Sequence, residues 1–128
     1  MRARRILTIA IFCFLSVIGC KVANEATWSA QSASPDNAWL ATASTEHTNH
    51  GFGGESVWTT VEMKQNISKG KPVQILMFGD DDGPDHIHDL KMSWPSPQHL
   101  DITYRGDTHI TFQAVKALGK DITVEKLP

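Results

Sequence analysis

From Ala38 onward, apolar residues recur at every second position and turn-forming residues fall between the runs. That period belongs to strands with one buried and one wet face. "AWLATAS", beginning at Ala38, puts Trp39, Ala41 and Ala43 on one face. The alternation is cleanest in "SVWTTVEMK", where Val57, Thr59, Val61 and Met63 oppose Trp58, Thr60, Glu62 and Lys64. "VQILMF" from Val73, "DLKMSW" with Leu90, Met92 and Trp94 inward, and "HLDITY" with Leu100, Ile102 and Tyr104 inward continue the series. "HITFQAV" and "DITVEKL" bring it to seven strands, and "FQAVKALGK" has spacing that also suits a helix. Parallel strands buried on both faces would be apolar throughout, so the pattern predicts an all-β domain, a single antiparallel sheet or a sandwich-like pair. Its expected core comprises Trp39, Val61, Leu76, Trp94, Ile102 and Phe112.

The chain ahead of this domain follows different rules. "MRARR" is basic, and "ILTIAIFCFLSVI" then runs apolar from Ile6 to Ile18. That run falls short of the roughly 20 residues a spanning helix needs, and it reads as a secretory signal. It ends in Val17-Ile18-Gly19-Cys20, which resembles the bacterial lipobox. The resemblance covers about the first fifth of the chain. It implies cleavage after Gly19, a diacylglyceryl thioether on Cys20 and a further acyl chain on the new N-terminus. Each buried methylene contributes about 0.8 kcal/mol and one chain holds only marginally, so two or three chains make a stable anchor. The next stretch, "KVANEATWSAQSAS", is small, polar and without a sustained period, apart from Trp28. The expected organisation is a signal peptide over 1–19, a lipidated N-terminus and tether over 20–34, and an antiparallel β domain over 35–128. The domain is expected on the cell membrane or outer membrane, facing the periplasm or the exterior. In a Gram-negative cell, Lys21 in place of an aspartate favours the outer membrane.

Cysteine usage and charge narrow the chemistry. Both cysteines, Cys13 and Cys20, lie in the targeting segment. A mature domain would carry neither disulfide nor free thiol, so its core must hold it unaided and thiol chemistry is excluded. Processing removes Arg2, Arg4 and Arg5 from 12 basic residues and leaves all 14 acidic ones, a mature net charge of −5. A modestly acidic chain with no clustered Lys/Arg face is a poor partner for nucleic acid or anionic lipid. Membrane association is expected to come from the anchor.

The densest run of ligand-type side chains is "GDDDGPDHIHDL", Gly79 to Leu90. Aligning Gly83 with the invariant sixth-position glycine of an EF-hand puts Asp80, Asp82 and Asp89 at ligand positions, but Phe78 falls at position one and cannot ligate calcium. A looser metal site would draw on Asp80, Asp82, Asp85, His86 and His88, with His47 and His50 of "TEHTNHGFGG" nearby. Asp, Gly and Pro are also what turns prefer, and the expectation here is a solvated acidic connection with no metal and no cofactor. "GFGG" lacks the Lys-Ser/Thr of a phosphate-binding loop, and no G-x-S-x-G elbow or H-E-x-x-H helix occurs, so no catalytic residue is assigned. Those glycines suit a long hairpin loop with Phe52 exposed at its tip or folded back. His99 and His109 flank strands, and the "NIS" sequon at Asn66 is read as chance.

Two stretches, "SPDNAWLATAS" and "WPSPQHLDITY", each place a Pro-containing turn before an alternating strand. The first is similar to the "SPDG-W-LA" turn of propeller repeats in TolB-like periplasmic proteins, with Asn37 where glycine is usual. A propeller needs at least four blades, more than this length supplies. The whole also resembles small β-rich bacterial envelope lipoproteins, a resemblance that brings no catalytic residues with it. The expected function is non-enzymatic: a lipid-anchored domain that binds an envelope protein, in a structural or immunity-type role. The rival is a metal- or small-ligand-binding lipoprotein using the Asp80–Asp89 loop.

Overall fold

The computed structural model describes residues 24–49, 51–67, 69–79 and 88–128. Among them are nine strands and no helix: β1 (Asn24–Ala33), β2 (Trp39–Asn49), β3 (Glu55–Gln65), β4 (Val73–Phe78), β5 (His88–Ser96), β6 (His99–Arg105), β7 (Ile110–Gln113), β8 (Lys116–Ala117) and β9 (Lys120–Lys126). A five-stranded sheet has the order β1-β2-β3-β4-β7, and a four-stranded sheet the order β5-β6-β9-β8. Their inner faces share one core, so the domain is an all-β, two-layer sandwich.

The alternation read from the sequence sets the inner faces. Ala41 and Ala43 of β2, Val61 and Met63 of β3, and Leu76 and Phe78 of β4 meet Leu90 of β5, Leu100, Ile102 and Tyr104 of β6, and Ile122 of β9. The Phe78 and Tyr104 rings meet edge to face across the layer, centroids 4.8 Å apart. Each fully buried aliphatic side chain contributes about 1.5–3 kcal/mol. Thr45 and Thr59, facing inward in this row, satisfy each other through a 2.8 Å hydroxyl bond.

Five expectations require correction. The segment 24–33, read as tether, is strand β1, paired antiparallel with β2 from Asn24↔Thr48 to Ala33↔Leu40. With β8 also present, the count is nine strands instead of seven. The pairing is not wholly antiparallel, because β6 and β9 run parallel from His99↔Asp121 to Tyr104↔Lys126. "FQAVKALGK" forms β7, β8 and the turn into β9 instead of a helix. Phe112, expected in the core, is 45% exposed. The cause is a bulge: Ile110 opposes Phe78 and Phe112 opposes Met77, leaving Thr111 extra and turning Phe112 to the outer face. A second bulge works in the opposite sense. Between Val61 and Glu62 the register slips past Ile75, so Ile75 and Leu76 both turn inward and are fully buried.

Both open sides of the sandwich are stitched. On one, the amide of Ala114 donates to Ile75 of β4 (2.8 Å) and the amide of Ile122 of β9 donates to Val115 (3.0 Å), so the chain changes sheet within two residues. On the other, the Trp94 indole of β5 donates to the Ser32 carbonyl of β1 at 3.2 Å. Trp39 and Trp94 are half-buried and pack on the core from its rim.

Candidate functional site

The fold separates two ends. At one, β1 begins beside the β2–β3 hairpin, and the connections out of β4 and β6 are joined. The Gly79 amide donates to the His109 carbonyl (3.1 Å), and the Thr108 hydroxyl donates to the Gly79 carbonyl (2.7 Å). A Cβ at Gly79 would lie 2.6 Å from Thr111 Cγ2 and 2.9 Å from His109 Nε2, so this close approach needs glycine.

Of the metal-ligand candidates from the sequence, His47 and Asp89 are described with side-chain partners of their own. His47 of β2 places Nε2 3.2 Å from Glu55 Oε2 of β3. Asp89 has a positive φ of 51° at the irregular start of β5 and pairs with Arg105 at 3.5 Å. Asp80, Asp82, Asp85, His86 and His50 lie outside the described residues, as do Cys20 and the segment 1–19 expected to be a signal peptide. His88 opens β5 by its backbone, opposite Arg105. Among the described residues, no group of three or more His, Cys, Asp and Glu side chains is placed to share a metal ion.

A histidine with an acidic and a hydroxyl partner occurs on the outer face of the four-stranded sheet. His99 Nε2 lies 2.9 Å from Asp101 Oδ1 and 2.7 Å from Thr123 Oγ1. A proton relay needs the carboxylate on one ring nitrogen and the hydroxyl on the other. Here both meet the same nitrogen, so the trio is a surface hydrogen-bond cluster and Thr123 is not activated as a nucleophile.

The opposite end is built on the Ser34–Ala38 turn between β1 and β2. The Asn37 amide donates to the Ser34 carbonyl (2.8 Å), and the Ser34 amide donates to the Trp39 carbonyl (2.9 Å). Asn37 takes φ 57°, a left-handed conformation that asparagine tolerates better than most residues. That is the physical reason it stands where glycine is usual. Asn66, the sequon residue, donates its side-chain amide to the Asn37 carbonyl (3.0 Å) and Oδ1 (3.1 Å). The Ser34 hydroxyl bond, then the Ala38 amide, hold the Asp36 carboxyl below its ordinary value, with a smaller contribution from Lys120.

Lys120 is the residue at this end that sequence reading missed. It is buried, its Nζ sits 4.8 Å from the Trp39 ring centroid, and it donates to Gln98 Oε1 at 2.9 Å. Nothing in "GKD" signals this, because the contact exists only once β9 is laid parallel beside β6. Beside the Trp39 ring an open pocket of about 310 Å³ is lined by Ala38, Trp39, Gln65 and Ile67. Large apolar side chains stand in solvent at this end: Ile67 is 93% exposed, and Val73 and Leu118 are also exposed. Every buried side-chain polar atom among the described residues has a partner within the fold. Among the described residues, this end presents exposed apolar side chains beside the Asp36 carboxylate. No family model, no curated protein and no solved structure matches the chain.

Proposed function

We propose that this chain is a lipoprotein of the bacterial cell envelope, anchored through lipid on Cys20, whose β domain is non-enzymatic and binds another envelope protein. One observation carries the binding role. Ile67 stands exposed at the Trp39 pocket, and Val73 and Leu118 are exposed at the same end of the sandwich, opposite the end at which β1 enters. β1 enters at Asn24 and reaches this end at Ala33, and ten residues of strand span about 33 Å. A cluster of exposed apolar residues with a polar rim marks an interaction surface on a soluble domain. Trp39 supplies a rigid aromatic wall, and Lys120 and Asp36 supply a charged border.

Two experiments test the reading. Cys20→Ser should release the protein into the soluble fraction, and membrane retention of that variant would remove the anchor from the account. Photo-crosslinking residues placed at positions 67 and 118 in cells should each give the same discrete adduct, lost on Trp39→Ala. Glu125 on the outer face of β9 serves as the control position. Equal labelling at all three positions, or none at 67 and 118, would refute a partner at this end.

A further inference from the structure

Phe52 is the most exposed large apolar side chain among the described residues, at 112% of its reference area. It is held out by geometry and not by looseness. The Gly53 amide donates to the Gly51 carbonyl at 2.7 Å, a three-residue turn with Phe52 at its apex. Gly51 and Gly53 on either side take φ of 81° and 92°, conformations that need glycine. The Gly51 amide in turn donates to Asn49 Oδ1 at 2.9 Å, tying the apex to the end of β2. Nothing lies within 4 Å of a Cβ built on either glycine, so no part of the fold covers the tip.

The register places this tip relative to the anchor. Thr48 and Asn24 are partners in the β1–β2 ladder. Cys20 lies four residues before Asn24, and Phe52 lies four residues after Thr48. Because the strands are antiparallel, β1 enters and β2 leaves at the same end of the sandwich. Four residues reach at most about 14 Å, so the anchoring sulfur and the Phe52 ring can lie in one plane. We infer that Phe52 inserts into the surface of the bilayer that holds Cys20, giving the domain a second membrane contact and a fixed orientation, with the Trp39 end pointing away. The inference rests on the lipid anchor proposed above. Inserting the ring removes from water the apolar surface that the fold leaves bare. The mature chain carries a net charge of −5, so the partner surface is a zwitterionic one, and anionic lipid opposes the contact.

The native cysteines make the test direct. With Cys13 removed and Cys20 acylated, Phe52→Cys would carry the one free thiol of the mature protein. The lipidated variant, labelled with a polarity-sensitive dye, is reconstituted into phosphatidylcholine–phosphatidylethanolamine vesicles with a nitroxide-bearing lipid, and Ile67→Cys is treated likewise. The expected result is a blue shift and nitroxide quenching at position 52 and neither at position 67, with the effect at 52 weakened by added phosphatidylglycerol. Phe52→Trp, quenched by brominated lipid beyond the wild-type background, gives the same readout without a dye. Vesicle-bound protein with position 52 in water, or with both positions alike, overturns the inference and leaves the anchor standing. Protein that does not float with the vesicles overturns the anchor and the inference with it.

Discussion

Trp94 ties the two sheets together on the side where β1 faces β5, and it is the side chain whose removal tests the sandwich most directly. Its ring packs on the core from the rim, and its indole Nε1 donates to the Ser32 carbonyl at 3.2 Å. A fully buried aromatic truncated to alanine costs about 3–5 kcal/mol, and partial burial brings Trp94→Ala to the lower end, about 3 kcal/mol. Trp94→Phe keeps most of the packing and loses the one hydrogen bond, about 1 kcal/mol. For a domain of this size each kcal/mol lowers the melting temperature by about 4 °C, so the two variants should fall by about 12 °C and 4 °C. Circular dichroism melts of the Cys20→Ser soluble form supply that measurement. Hydrogen exchange supplies a second one, because β1 is an edge strand held by β2 and by this bond. In Trp94→Ala its amides should lose protection before those of β3. Equal melting temperatures for the alanine and phenylalanine variants, or unchanged β1 exchange, would refute the bridging role.

Asn37→Ala should destabilise by about 1–2 kcal/mol, because alanine at φ 57° carries a left-handed penalty, whereas Asn37→Gly should lose less; chemical denaturation of the three proteins decides the order. Asp36 has a lowered carboxyl pKa, so its contribution is present above the ordinary aspartate value of about 3.9 and is lost as pH falls through the lower folded value. Asp36→Asn should therefore flatten the acid limb of the stability curve below about pH 4, and an unchanged limb in pH-dependent melts would contradict the Ser34 and Ala38 bonds. Ile102→Ala, at a fully buried position, should cost about 2–5 kcal/mol. Phe112→Ser, on the outer face, should stay within about 1 kcal/mol, and urea unfolding that reversed this order would show the β7 register to be wrong.

The inner faces of β2, β3, β5 and β6 were legible because their outer faces are wet, so alternation survives in the sequence. Val57, Thr59, Val61 and Met63 are all buried, as the period requires. What escaped did so for three reasons. β1 is an edge strand of small and polar residues, "NEATWSAQSA", whose ladder bonds leave no apolar signature. The parallel pairing of β6 with β9 joins two strands that each alternate as antiparallel strands do, and pairing direction is not a property of either strand alone. Bulges shift the period by one, so Phe112 turned outward and Ile75 joined Leu76 inside. The candidate sites divide the same way. The loop around Phe52 was readable from "GFGG", though not whether the ring stands out or folds back, whereas the Trp39–Lys120–Gln98 cluster depends on a crossover that the sequence does not display.

The incorporation of residues 24–33 into β1 changes what an anchor on Cys20 can do. A loose tether of this length would let the domain tumble above the membrane and present any face to a partner. With β1 paired from Asn24 onward, Lys21, Val22 and Ala23 are the residues that would separate an acylated Cys20 from β1. Under the proposed anchor, β1 would serve as a strut that sets which end is near the bilayer and which is far. Its outer edge is tied to β5 at Ser32 through the Trp94 indole, and an extra residue at Thr27, where the register slips between Ala26 and Trp28, interrupts the ladder near the end at which β1 enters. A bulge and a polar edge strand both oppose pairing with a second copy, which matters when anchoring confines molecules to a plane and raises their local concentration. The same feature that would hold an anchored domain upright therefore also opposes pairing between copies and leaves the Trp39 end open to the proposed partner.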